Sequence, residues 1–472
     1  MTFPSAADPD TGRRASRTGR TVQLRAKVPG VVHADIDALD TVAGPRAIVR
    51  VRIGGDESDA RGGALSPRDG ESIANAAEVA LAERLPVVVE LSSTGADISE
   101  GLAALHGWGQ AANALSACSG IVPTVIAVDG PAVSGPALLL GLADHVVFTE
   151  RAYAFVSGPH MVRQFTGIPI DKDDLGGSST HARHTGVASA VVADSAAAMD
   201  WVSNLFDHLP DNNDERPPRI PTDDPIDRPT PEAGAVIPDS PTGSYDVRTV
   251  MRAIADDEQV FELRSSWAPN LVTAFASIGG RPVGFVANQP CALAGTLDIP
   301  ASQKGARFVA FCDAFNIPLV TLVDTPGFYP GKDLEWRGMI RHGAQMAFAY
   351  ARATVPRVNL TMRKSYGGAY IVMDSKRMGN DLALAWPSAE IAVMGAKGAV
   401  EILHRRAEPD ERLALEAAYE ERLLNPYIAA DRGFIDAVIE PGTTRAAIAS
   451  ALEVLDDKRE SLQPRSHDNT PL

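Results

Sequence analysis

Short apolar runs alternate with longer stretches of helical spacing along most of the chain. In the first half, residues 47–53, 86–91, 122–128 and 145–148 read as buried strands. In the second half, 282–287, 317–323, 357–362 and 390–394 read the same way. Between them, 70–84, 99–117, 302–315 and 335–353 have the length and spacing of helices. Strands alternating with helices predict parallel sheet, so each half is expected to be α/β.

The two halves also share punctuation. Gly63, Pro86 and Gly95 recur as Gly295, Pro318 and Gly327, all three at one constant offset. Pro123 and Ser134 recur as Pro356 and Gly367, with the offset lengthened by a single position. Residues that shape turns, holding one register this long, indicate an internal duplication and two similar domains. A length of 472 residues fits two such domains better than one core. Between the halves, residues 209–244 carry nine prolines and a dense run of aspartates. With no apolar periodicity, that stretch reads as an extended linker that can drape one domain across another. Residues 409–424 read as a charged helix with a solvated face.

Charge changes the picture little. The 60 acidic side chains outnumber 44 basic ones, giving −16, which argues against a nucleic-acid surface. An anionic ligand would need local backbone donors or a local basic patch. Cys118, Cys291 and Cys312 lie far apart and fit neither a disulfide framework nor a zinc spacing. They read as buried reduced thiols of a cytoplasmic protein. No stretch reads as a transmembrane helix, and no metal site is expected. Arg13, Arg14, Arg17, Arg20 and Arg25, set among Ser and Thr, faintly resemble a transit peptide. Without an apolar signal core they read as a disordered tail.

Chemistry is expected at the strand–turn–helix that both halves repeat. In the second half 357–362 is the strand, 364–369 the turn, and Tyr370 opens the helix. Glycines let the backbone approach a ligand, and the first N–H groups of a helix have no partner within it. Two such donors can hold an oxyanion as it develops, each worth about 3 kcal/mol of barrier. The second-half turn reads Tyr366-Gly367-Gly368-Ala369-Tyr370, and its first-half counterpart Val133-Ser134-Gly135-Pro136-Ala137.

Several second-half stretches resemble the carboxyltransferase (β) subunits of biotin-dependent acyl-CoA carboxylases, of the propionyl-CoA and acetyl-CoA carboxylase kind. They are Ser244-Tyr-Asp-Val-Arg248, Phe285-Val-Ala-Asn-Gln-Pro290, Lys304-Gly-Ala-Arg-Phe308, Asp324-Thr-Pro-Gly-Phe328, Arg363-Lys-Ser-Tyr-Gly-Gly-Ala-Tyr370, Ala385-Trp-Pro387 and Val393-Met-Gly-Ala-Lys-Gly-Ala399. Leu209-Pro-Asp-Asn-Asn213 and Asn469-Thr-Pro-Leu472 are similar too. The resemblance implies a crotonase-type spiral of ββα units in each half. The implied layout is a tail over 1–26 and an acyl-CoA-side domain over 27–208. The linker over 209–244, a biotin-side domain over 245–462 and a tail over 463–472 follow.

It further implies carboxybiotin supplied by a biotinylated partner subunit, acyl-CoA as substrate, and a homo- or hetero-oligomer in the form of a hexamer. By resemblance, Gly368 and Ala369 supply N–H donors on the biotin side, bordered by Gly367, Tyr366 and Ile371. Ser134 and Gly135 would form the acyl-CoA-side pair, with Gly95, Ala96, Gly62 and Gly63 around the ligand. Ile371 stands where propionyl-type members carry aspartate. Nothing resembles a biotinylation sequence or an ATP-binding loop, so the partner must load the biotin.

The first half departs from the family at two points. Asp97 replaces an arginine, which would repel an anionic ligand rather than attract it. Pro136 replaces an alanine and has no N–H to donate. Two other readings therefore stay open: a biotin-independent decarboxylase of a malonyl-type or β-keto acid, and a non-catalytic subunit of a heteromeric carboxylase. Asp324 reads as a turn-capping carboxylate, and His181 as a structural histidine with a ligand-facing role as the alternative. His342 reads as near a surface or interface, and Lys364 and Tyr366 as groups able to polarise a bound group.

Overall fold

The computed structural model describes residues 20–21, 31–54, 61–458, 460–464 and 469–471. Apart from Arg20 and Thr21, the expected N-terminal tail lies outside the described residues. The chain divides into two compact units, Met1–Pro218 and Arg219–Leu472.

The first unit holds one mixed sheet. Its strands are β1 (Arg20–Thr21), β2 (Val32–Leu39), β3 (Arg46–Ile53), β4 (Val87–Ser93), β5 (Thr124–Val133), β6 (His145–Thr149), β7 (Tyr153–Phe155) and β8 (Ala190–Val192). They run in the order β1-β2-β3-β4-β5-β6-β8, with β7 also on β5. β1–β2 and β2–β3 pair antiparallel and the rest parallel. Helix α1 (Pro67–Glu83) starts where Ser66 and Asp69 form a reciprocal capping box, with Pro67 in the first turn. Its small residues let it lie close against α2 (Leu102–Cys118). A Cβ on Gly70 would stand 2.1 Å from the Gly107 carbonyl oxygen, so both helices need glycine at the crossing. Ile73, Ala77, Ala111, Val49, Val89 and Ile126 form the core between helices and sheet.

The second unit repeats this topology strand for strand. β9 (Val260–Leu263), β10 (Leu271–Ile278), β11 (Arg281–Asn288), β12 (Leu319–Thr325), β13 (Arg357–Tyr366), β14 (Leu382–Ala385), β15 (Glu390–Ala392) and β16 (Ala437–Val438) form the second sheet. Their order is β16-β14-β13-β12-β11-β10-β9, with β15 on β13. Even irregularities recur. The β4–β5 register shifts between Leu91 and Ser93, and the β12–β13 register shifts at the matching place, between Val323 and Thr325. Isolated bridges join Leu65 to Ala96 and Leu297 to Phe328.

Three expectations change. Neither sheet is wholly parallel, because each begins with antiparallel strands; β2 and β10 both lie outside the runs read as strands, although β10 is itself apolar. β2 alternates apolar and polar positions, a pattern hidden from a search for apolar runs. The helix expected over 335–353 is broken at Gly338 (φ 92°), leaving Lys332–Trp336 and Met339–Arg352. Finally, the division between units falls inside the stretch read as a linker, and both its ends are packed. Asp211 is buried and receives Arg46 Nε at 2.7 Å, while Thr230 and Ala233 are buried in the second unit. Residues 409–424 do form an exposed helix, Pro409–Tyr419 with a looser last turn at Glu420–Leu424.

Candidate active site

In the second unit, β13 runs further than its composition suggests. Lys364, Ser365 and Tyr366 pair with Glu390, Ile391 and Ala392 of β15, so the turn expected over 364–369 shrinks to Gly367 alone. Gly367 has φ 60°, and the helix Gly367–Val372 follows at once. Gly368 is exposed at its start, while the Ala369 side chain is buried beneath. A Cβ on Gly368 would come within 3.2 Å of the Phe328 ring. Ile371 is 48% exposed and lines an apolar groove of about 390 Å³ with Gly368, Val372, Phe328, Met339 and Gly343.

The polar residues beside this turn hold its frame. Asp324, near the end of the buried strand β12, receives Arg363 Nε at 2.9 Å and the Lys364 N–H at 3.2 Å. Burial pushes its carboxyl up, and the Arg363 guanidinium opposes that. Tyr366 donates its hydroxyl to Glu390, and burial with that carboxylate raises its pKa. Lys364 donates Nζ to the Pro241 carbonyl. Lys364 and Tyr366 are thus each engaged by one partner within the unit.

In the first unit the counterpart turn takes the same path with different residues. Ser134 adopts φ 61° and ψ −125°, and α3 (Gly135–Leu142) begins directly after it. The Ser134 N–H donates to Phe155 O at 2.9 Å and the Ala137 N–H to Ser134 O at 3.1 Å. Pro136 is buried in the first turn, so the donor that Ala369 has is missing here. The Gly95–Ala96 loop lies opposite. A Cβ on Gly95 would stand 3.4 Å from the Val133 oxygen and 3.5 Å from Ser134 Cβ. The structure therefore brings Gly95, Ser134 and Gly135 together. The Trp108 ring packs on Gly135, 2.9 Å from where its Cβ would be.

Gly62 and Gly63 are occupied with packing. Gly63 (φ 74°) lets the chain press on β4, where a Cβ would fall 2.1 Å from Ser92 O. Its carbonyl accepts from Ser93 Oγ at 2.7 Å, and Gly62 O accepts from the Thr94 N–H at 3.1 Å. Asp97 caps a short turn through Ser99, whose N–H donates at 3.0 Å, and faces Arg61 Nη1 at 3.5 Å. The Ser99 hydroxyl and N–H, then Arg61, hold its pKa down. Its charge is therefore answered locally.

His181 sits with Nδ1 2.9 Å from Thr185 Oγ1 and Nε2 2.8 Å from Ala154 O, which fits the structural role. His342 is half-buried beside Gln303 and Gln345, each 3.2 Å from Nδ1. Cys118 and Cys312 are buried, and burial pushes the Cys118 thiol up to about 12. Cys291 is exposed, contrary to expectation, because the chain leaves β11 in a turn there. Sequence reasoning missed Phe328 and Trp108 at the two turns. The first was within reach, since Phe328 lies as far beyond Ala96 as Gly327 lies beyond Gly95.

The chain as a whole has counterparts among known proteins. The profile of the carboxyl transferase domain matches residues 21–470. The chain belongs to the carboxyl transferase family. It is 42% identical over 414 residues to the propionyl-CoA carboxylase beta chain of Roseobacter denitrificans, covering 87% of this chain and 81% of that one. It is 40% identical over 418 residues, with the same coverages, to the methylmalonyl-CoA decarboxylase subunit alpha of Propionigenium modestum. Among solved structures, transcarboxylase 12S, a hexamer with hydrolysed methylmalonyl-CoA bound, matches at TM-score 0.90 and 38% identity. That match covers 97% of this carboxyltransferase and 88% of the other chain. As a carboxyltransferase the chain is an enzyme that moves a carboxyl group. Among the described residues no helix is long and apolar enough to cross a membrane.

Proposed function

We propose that this carboxyltransferase moves the carboxyl group of carboxybiotin, carried on a partner subunit, to the α-carbon of a short acyl-CoA. Balance requires that the carboxyl leave the biotin nitrogen, that the α-proton take its place there, and that the enolate carbon take up CO2. Negative charge develops on two oxygens, the biotin ureido oxygen and the thioester oxygen. The N–H groups of Gly368 and Ala369 would hold the first, and the Ser134–Gly135 turn the second. Ile371 and the apolar groove beside Gly368 would border the biotin side, and Gly95 and Ala96 the thioester side. Gly62 and Gly63 shape the chain behind that loop. In this reading each unit is a crotonase-type ββα spiral, the two arose by duplication, and the working enzyme is a hexamer with its biotinylated partner.

The observation that carries the reading is the repeated strand–turn–helix, at one register and one φ, in a chain of this family. Identical strand order in the two sheets supports duplication, and the hexamer named for transcarboxylase 12S supports the assembly. Decarboxylation uses the same enolate, and one relative is named for it. The two are separated by incubating the protein with malonyl-CoA or methylmalonyl-CoA, with and without a biotinylated carrier. Carboxyl transfer that requires the carrier is expected. CO2 loss without it would establish the decarboxylase instead.

A further inference from the structure

The Ser134 hydroxyl is a feature of the first-unit turn that packing does not explain. Register puts Ser134 where Gly367 stands, with φ 61° against 60°. Its ψ of −125° belongs to a conformation that a Cβ disfavours; Gly101, at φ 57° and ψ −133°, takes it as a glycine. A glycine would fit here without strain, as it does in the other unit.

Position gives the side chain a purpose. Ser134 Cβ stands 3.5 Å from the Cβ position of Gly95, between the Gly95 loop and the start of α3. In the second unit a Cβ on Gly327 would meet nothing within 4 Å, while one on Gly367, the counterpart of Ser134, would stand 3.2 Å from Val393 O. Ser134 is exposed, and among the described residues its hydroxyl has no hydrogen-bond partner. Directly beyond Gly135, Pro136 has removed a donor. A strand–serine–helix elbow also positions hydrolase nucleophiles, but no base among the described residues hydrogen-bonds this serine. The hydroxyl is left as a donor.

We propose that Ser134 O–H replaces the N–H missing at Pro136 and, with the Gly135 N–H, holds the thioester oxygen as the enolate forms. This rests on the carboxyl-transfer reading above. A hydrogen bond to an oxygen gaining charge strengthens in the transition state, so its loss should appear in kcat rather than KM.

The test uses the full chain with methylmalonyl-CoA or malonyl-CoA and free biotin, following the decarboxylated acyl-CoA. Ser134→Ala and Ser134→Gly should each lower kcat about 100-fold, with KM changed less than about threefold. Ser134→Gly should also raise Tm by a few degrees, because glycine adopts this φ freely, so its lost turnover cannot be ascribed to damage. A Ser134→Gly protein as active as wild type, or more active, would overturn the proposal and make the serine a cleft-filler. A wild-type protein inert with both acyl-CoA substrates, with free biotin and with carrier, would overturn the carboxyl-transfer reading and this inference together.

Discussion

The turn after β5 and the turn after β13 share a bulge, a strand partner and a residue near φ 60°, yet one reads Ser-Gly-Pro and the other Gly-Gly-Ala. Sheet register fixes where the backbone goes. Which N–H groups survive, and what stands beside them, fixes what the turn can hold. Two similar frames therefore differ in what they can offer, the second keeping both backbone donors and the first one.

The surroundings diverge in the same sense. Every residue of β11 is buried, with Phe285 and Ala287 in one core with Val250, Met251, Ile448 and Leu452. β3 instead exposes part of Arg50 and Arg52, which pair with Glu90, Asp37 and Asp35. At the foot of β5, Asp144 accepts the Thr124 N–H at 3.0 Å, and at the foot of β13 Asp381 accepts the Arg357 N–H at 2.9 Å. The second unit adds a buried ion pair there, Arg357 to Asp374 at 2.8 Å.

The comparison can be broken most severely at Gly368. Gly368→Pro removes a donor from the complete turn while suiting a helix start, so kcat should fall about 100- to 1000-fold, with only a small fall in Tm as the Phe328 ring gives way. Steady-state transfer kinetics and a melting curve decide it, and undiminished turnover would displace the site. A smaller effect, on stability, is expected at the matched glycines. Gly63→Ala and Gly295→Ala force Cβ atoms to 2.1 Å from Ser92 O and 2.5 Å from Asp324 O at positive φ. Each should cost about 3 kcal/mol in denaturant unfolding. If only one does, the two frames are less alike than their register. Pro136→Ala returns a donor beside one already supplied, so kcat should rise by no more than about tenfold. A larger rise would mean the first turn works at a deficit.

The smallest effect concerns pH. Burial pushes the Asp374 carboxyl up to about 6, against the pull of Arg357. Because the folded value lies above the unfolded one, near about 3.9, its contribution is full below about pH 4 and is lost as pH rises to about 6. Asp374→Asn should flatten that part of the stability–pH curve. An unchanged slope would remove Asp374 from the account.

How much of this could be read from the chain depended on distance along it. The glycine and proline punctuation revealed the repeated topology, because Gly63 and Gly295 face the same steric demand in each unit. Sequence does not say whether a glycine approaches a ligand or a neighbouring carbonyl: Gly63 is pressed against the Ser92 oxygen, while Gly62 is exposed. Lys364–Tyr366 looks like loop because these residues are polar, yet β15, beyond the next helix and the next strand, holds them as strand. Asp97 reads by its charge alone. The Ser99 N–H it caps lies close by in the chain and was legible, whereas Arg61, far upstream, was not. Pro136 was the exception: its missing N–H is a property of the residue itself.

The central claim is that the chain passes a carboxyl group between biotin and an acyl-CoA. The most direct measurement supplies the full chain with carboxyl-labelled methylmalonyl-CoA and a biotinylated carrier, and follows the label. Label appearing on the carrier, and acyl-CoA losing it only when carrier is present, is the predicted result. Label lost as CO2 at the same rate without carrier would contradict it.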